Sequence, residues 1–211
     1  MFTKEAVPGI RATDHEIETQ LMLLAEEIDG IEGYRSPHAT FMARLAESLG
    51  AELGLHGHDL TALKFAALAH DLGERVMQRD YIERNGDLTW EERLDLWRHP
   101  ILGEQAAAQR GLSRQAQLLI RWHHEWWNGS GYPDALAGEA IPLGARILRI
   151  VDTYSALLND RPWRARSGQD DEGDPENSAQ QIIADYAGIE FDPRVVQAFL
   201  HLLNKESGSK E

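Results

Sequence analysis

Residues 59–73 read DLTALKFAALAHDLG. Leu60, Leu63, Ala67 and Leu68 recur at helical spacing, so an apolar helix is expected here, N-capped by Asp59 and running to His70-Asp71. A neutral histidine beside an aspartate at the end of such a helix has no visible partner. Burying both groups costs free energy unless something satisfies them, and a metal ion is a good candidate. The plainer alternative is a capping or surface histidine. His58-Asp59 repeats the dipeptide at the start of the same helix, so the dipeptide alone is a weak signal.

Outward from this segment the chain reads as helix after helix. Ile17, Leu21, Leu24 and Ile28 give a helix from Asp14 that stops at Asp29-Gly30. A second helix follows Ser36-Pro37, with Phe41, Leu45 and Leu49 on one face. Downstream, Thr89-Trp90-Glu91-Glu92 fits a capping box for a short helix toward His99. Residues 100–110 are alanine-rich and helical, ending at Gly111, and Ser113 can cap the helix that leads into His123-His124. Asn128-Gly129-Ser130-Gly131-Tyr132-Pro133 is a loop by its breakers. A long helix resumes after Pro142 and carries Ile147, Ile150, Val151 and Tyr154. Residues 167–178 are acidic and rich in breakers and are expected to be a solvated loop, with Ser178-x-x-Gln181 capping the next helix. Asp192-Pro193 starts the last one. No period-2 strand pattern is visible, so the class is all-α: an arm over 1–13, one domain over 14–205 and a tail over 206–211.

The 211 residues suffice for one substantial core. The absence of cysteine excludes disulfides, thiol catalysis and cysteine-ligated zinc, so any metal must sit on nitrogen and oxygen. Lys plus Arg number 21 against 35 Asp plus Glu, a net charge of -14, which argues against a duplex nucleic-acid partner. A small anionic ligand stays compatible, because bound cations dominate the local field. No apolar run approaches the roughly 20 residues of a membrane span, and the N-terminus lacks the apolar core of a signal peptide, so a soluble cytoplasmic protein is expected.

Three more polar groups repeat the situation of His70-Asp71. His123-His124-Glu125 closes a helix before the glycine-rich turn, Asp152 lies in the apolar stretch Ile147–Val151 and beyond, and His99 precedes a proline at a helix boundary. Each is weak alone. Together, several apolar helices end in, or contain, a group that wants a cation.

As a set these residues resemble a known family. Ala69-His70-Asp71-Leu72-Gly73, His99-Pro100-x-x-Gly103, His123-His124-Glu125-x-x-Asn128-Gly129-x-Gly131-Tyr132-Pro133, Asp152 and Arg161-Pro162-Trp163-Arg164 look like the HD-GYP family, from about Ser36 to Leu203. The resemblance implies a helical HD bundle with additional helices and hydrolysis of cyclic di-GMP by a two-metal-activated hydroxide, with iron or manganese as the metals. It makes His70, Asp71, His99, His123, His124 and Asp152 the metal ligands, with Asp71 a bridge. His38 matches a histidine that helps hold a further metal in some members. The glutamate those members carry four residues earlier is Tyr34 here, so two metals are expected. The resemblance also makes Arg161 and Arg164 phosphate contacts and Tyr132 and Asn128 candidate substrate contacts.

Two departures bear on the substrate. Glu74 stands where the family carries lysine, and Asn128 where it carries aspartate. Glu74 is therefore kept with Asp71 among the catalytic candidates. The departures leave open a phosphohydrolase for another nucleotide or phosphoester. A regulatory module is the other alternative, meeting protein partners through the Gly-Tyr-Pro loop; homo-oligomers are also compatible with the sequence.

Overall fold

The structure, a computed structural model, describes residues 13–34, 36–77, 79–83, 87–159 and 175–207. Most of the expected arm (1–12), Arg161, Trp163, Arg164 and residues 167–174 of the acidic loop lie outside the described residues. Among the described residues there are eleven α-helices and no strand; one isolated bridge joins Ala187 and Phe191. The helices are α1 (Asp14–Ile31), α2 (His38–Glu52), α3 (His58–Leu68), α4 (Leu72–Met77), α5 (Asp80–Glu83), α6 (Trp90–Leu96), α7 (His99–Gln109), α8 (Arg114–Trp122), α9 (Leu143–Leu158), α10 (Pro175–Asp185) and α11 (Pro193–Ser207). No described helix is long and apolar enough to cross a membrane.

Side-chain caps set three of the helix starts. Thr13 and Glu16 form a capping box on α1, Thr89 and Glu92 form another on α6, and Ser113 accepts from the Ala116 N–H at the start of α8. Two expected caps are displaced. The N-cap of α3 is Gly57, at φ 53°, a left-handed value that glycine adopts without strain. Asp59 instead lies in the first turn, where its charge suits the helix dipole. Helix α10 begins at Pro175, so Ser178 and Gln181 sit inside it; a proline in the first turn needs no N–H partner. Residues 175–178 are thus helix, not loop.

The core lies where α2 meets α3 and α9 and where α8 closes over α3. Leu49, Leu63, Ile120, Ile147, Leu148 and Ile150 are fully buried there. Short helix α4 packs on α7 through two glycines. A Cβ on Gly73 would stand 1.9 Å from the His99 carbonyl oxygen, and one on Gly103 would stand 2.9 Å from Ile120. This close approach brings the turn holding His70-Asp71 against the start of α7. On the other side of that turn, Asp29 on α1 accepts from the Ala39 N–H and so fixes the start of α2, where His38 stands.

Candidate metal centre

Helix ends deliver the donors. His70 and Asp71 occupy the turn between α3 and α4, His99 opens α7, and His123-His124 follow α8. Asp152 comes from the middle of α9 and His38 from the start of α2. These side chains form two adjoining groups, Asp71, His99, His123 and His124 in one, and His38, His70 and Asp152 in the other. Within each group the donor atoms lie within 4.8 Å of one another. All seven sequence candidates for metal binding therefore converge.

Asp71 links the groups. Its Oδ2 lies 2.7 Å from His70 Nε2, and its Oδ1 lies 3.2 Å from His99 Nε2 and 3.8 Å from His123 Nε2. The rings are oriented from behind. His70, His99 and His123 donate through Nδ1 to the carbonyls of Ala67, Leu96 and Ile120, which leaves each Nε2 facing the centre. His38 Nδ1 is paired with Ser155 Oγ at 2.8 Å, and the Tyr34 ring stacks flat on His38 at 4.0 Å. His124 is the exception, because its Nδ1 accepts from Arg149 at 2.9 Å.

The donor set fits divalent metal. His38 Nε2 and His70 Nε2 are buried and lack hydrogen-bond geometry to any partner among the described residues, although His70 touches Asp71 and His38 lies 3.6 Å from Asp152. Buried nitrogens left in this way are costly unless a cation takes their lone pairs. Imidazole and carboxylate in this proportion suit a hydrolytic divalent-metal site, with no thiolate to close it.

Electrostatics divides the histidines. Burial, then the neighbouring His99, lowers His123 to about 3, so its ring is neutral. Burial also lowers His124, with His123 and Arg149 adding to it. His70 goes the other way. Burial disfavours its charge, but Asp71, Asp152 and Glu32 outweigh burial and raise it to about 10. Against burial, His38, His70 and Arg149 hold Asp152 down to about 2, and His70 and His99 keep Asp71 ionised.

The remaining candidates have different surroundings. Glu74 is part-buried, and burial, then Glu32, Asp71 and Asp152, push its carboxyl well up toward the neutral form. Arg75, its neighbour, turns to Glu27 at 2.9 Å. Tyr132 has both faces covered, stacking on His124 at 4.8 Å and on Trp97 at 5.3 Å. Its ring therefore braces His124. Asn128 is exposed; its Oδ1 accepts from the Ser130 N–H and its own N–H donates to Ile189. It shapes the loop. Buried Glu125 anchors that loop by accepting from the Asp134 and Leu136 N–H groups. A Cβ on Gly131 would meet the Trp126 backbone at 2.2 Å, which explains the glycine of Gly-Tyr-Pro.

Sequence reading missed Glu32, Ser155, Trp97, Arg149 and Glu190. Arg149 alone had a signal, a charge within the apolar stretch that singled out Asp152.

Fold and site together define an all-α domain with two adjoining His/Asp groups that could hold divalent metal. The chain belongs to the HD domain family, whose model matches residues 18–195. It is similar to the cyclic di-GMP phosphodiesterase response regulator RpfG of Xanthomonas campestris, 34% identical over 189 residues, which cover 89% of this chain and 48% of the relative. Among solved structures it resembles the cyclic GMP-AMP specific phosphodiesterase of Vibrio cholerae, with TM-score 0.69 and 21% identity over 89% of this chain and 49% of that one. It also resembles an HDG"Y"P protein of Bdellovibrio bacteriovorus, with TM-score 0.63 and 18% identity over 90% of this chain and 62% of that one. The chain spans about half the length of the curated relatives it matches.

Proposed function

We propose that this chain is a metal-dependent phosphodiesterase that opens cyclic di-GMP. The observation that carries the reading is the double donor group joined by Asp71, whose two oxygens face different histidines. Such a site suits a pair of ions a short distance apart. Two bound divalent metals would acidify a water into the nucleophile and neutralise the charge that develops at phosphorus. The similarity to the Xanthomonas phosphodiesterase, over most of this chain, supports the substrate class.

The chain's own residues have three tasks in this scheme. His70, His99 and His123 present oriented Nε2 atoms, and Asp71 and Asp152 supply carboxylates that stay ionised at neutral pH. Tyr132 braces His124, and Glu125 holds the loop that carries Tyr132. Arg161 and Arg164 are assigned to phosphate contact on the resemblance alone. Nitrogen and oxygen donors favour iron or manganese as the pair of ions.

A second reading is a phosphohydrolase for a different nucleotide or phosphoester. It is favoured by Glu74, an acidic group beside Glu32, Asp71 and Asp152 where a phosphate would have to approach. One experiment decides between the two. Protein purified anaerobically is analysed for metal, then assayed with cyclic di-GMP in manganese or ferrous iron. The expected result is two metals per chain and conversion to the linear dinucleotide. Two metals with turnover of other phosphoesters only would establish the second reading. No metal uptake under any condition would overturn both.

A further inference from the structure

Arg149 lies on α9, one helical turn before Asp152, and its side chain is 15% exposed. Its guanidinium reaches both donor groups. One terminal nitrogen stands 2.9 Å from His124 Nδ1 and 3.4 Å from Asp152 Oδ2. The other terminal nitrogen is held by Glu190, which also receives the Thr153 hydroxyl at 3.5 Å. The remaining N–H, at Nε, is buried and has no hydrogen-bond partner among the described residues. A buried guanidinium N–H without an acceptor costs free energy, so this geometry is poised for an anion.

Among the described residues, three other arginines face carboxylates of their own. Arg75 is paired with Glu27, Arg121 with Asp134 and Glu104, and Arg146 with Asp192. Arg149 is also an odd neighbour for metal ligands, since a fixed cation repels the ions that the same ligands attract. Glu190 offsets that charge without removing the donors. A cation kept at this cost, between ligands of the two groups, fits a bound anion that touches both.

We infer that Arg149 is a further phosphate-binding cation of this site, beside the Arg161 and Arg164 of the proposed function, anchored by Glu190 and poised between His124 and Asp152. The inference rests on the proposed phosphodiesterase reading. A phosphate oxygen carries formal charge and makes a shorter, stronger hydrogen bond with guanidinium than a neutral imidazole nitrogen does. Arriving phosphate therefore takes the N–H that now points at His124, while Glu190 keeps the guanidinium in place. Contact through this terminal nitrogen would hold the diester beside both donor groups.

The test compares wild type with Arg149→Gln, Arg149→Lys, Glu190→Gln and the double variant Arg149→Gln/Glu190→Gln. Metal content, melting temperature and the affinity of manganese-loaded protein for inorganic phosphate are measured, with KM and kcat for a phosphodiester alongside. We expect Arg149→Gln to keep its metal and lose phosphate affinity roughly ten- to a hundredfold, with KM rising in parallel. Arg149→Lys should recover part of the loss, and the double variant none. Unchanged phosphate affinity in metal-loaded Arg149→Gln would overturn the inference. So would loss of metal in that variant, which would make Arg149 a positioning residue for the ligands, or full rescue in the double variant, which would make the pair structural. Wild type that binds metal and phosphate yet leaves every phosphodiester intact would sink the functional reading instead, while the phosphate titration still judges Arg149.

Discussion

Asp71 Oδ2 stands 2.7 Å from His70 Nε2, a contact that joins one donor group to the other. The opposite oxygen, Oδ1, faces His99 at 3.2 Å. No other described side chain holds a member of each group in this way with two separate oxygens. Asp71→Asn keeps the volume and replaces one oxygen by a nitrogen that cannot ligate. The expected result is loss of at least one metal per chain and a fall in kcat of more than about a hundredfold, as measured for orienting and ligating groups. Metal analysis beside the assay checks it; full metal content with full activity would refute the bridging role.

The same pair sets a pH dependence. His70 has its pKa raised from 6.5 to about 10, so folding favours the protonated ring in the metal-free protein. A raised folded value stabilises the fold fully below 6.5, and that contribution is lost as pH rises through about 10. Metal requires the neutral ring, so binding near neutral pH must expel the proton. Apparent metal affinity should therefore climb by up to about tenfold per pH unit across this window. Calorimetry in buffers of different ionisation enthalpy should find about one proton released per chain from this ring. A metal affinity flat across the window would contradict the assignment.

Much of this site was legible in the sequence, and the reason is burial. Each of His70, Asp71, His99, His123 and Asp152 is buried in the fold, and all but His99, which stood out before a proline at a helix boundary, ended or interrupted an apolar helix. The helix periodicity was equally plain, because α8 and α9 each present one apolar side. What stayed hidden depends on contacts between distant segments. Ser155 matters through His38, which lies 117 residues away, and Glu190 matters through Arg149. Trp97 meets Tyr132 only because α6 and the Gly-Tyr-Pro loop come together. Caps failed where another local signal took the position, a glycine at positive φ at Gly57 and a proline in the first turn at Pro175.

Gly73 gives a stability test. Its Cα packs against the start of α7, where an added Cβ would stand 1.9 Å from the His99 carbonyl oxygen, a backbone atom that cannot swing aside. Gly73→Ala should therefore push α4 and α7 apart and cost about 1–3 kcal/mol or more. Because His99 opens α7, metal affinity should fall with stability. Thermal unfolding with and without manganese separates the two effects. An alanine variant as stable as wild type would mean that the α4–α7 contact relaxes freely.

Ser155 tests whether His38 acts as a ligand. Its Oγ pairs with His38 Nδ1 at 2.8 Å and fixes which ring nitrogen faces Asp152, 3.6 Å away. If His38 ligates through Nε2, Ser155→Ala should weaken metal binding in the second group about ten- to a hundredfold, the usual effect of removing such a support. A titration resolving two binding steps should show one step weakened and the other intact. Equal weakening of both steps would assign the loss to general disruption of the core around α9.

Glu74 decides how much negative charge the site tolerates. Burial, then Glu32, Asp71 and Asp152, drive its carboxyl toward the neutral form, because a fourth anion in one desolvated place is unfavourable. Glu74→Gln imitates the neutral form and should leave stability within about 0.5 kcal/mol and metal content unchanged. Glu74→Lys introduces a cation that those carboxylates attract. Cyclic di-GMP carries two phosphodiester charges, so that cation should lower KM by roughly tenfold if repulsion at this position limits binding. Turnover of an uncharged ester should not change. A Glu74→Lys enzyme whose KM for cyclic di-GMP equals that of Glu74→Gln would show that the position does not face the substrate, and the case for a different phosphoester would lose its main support.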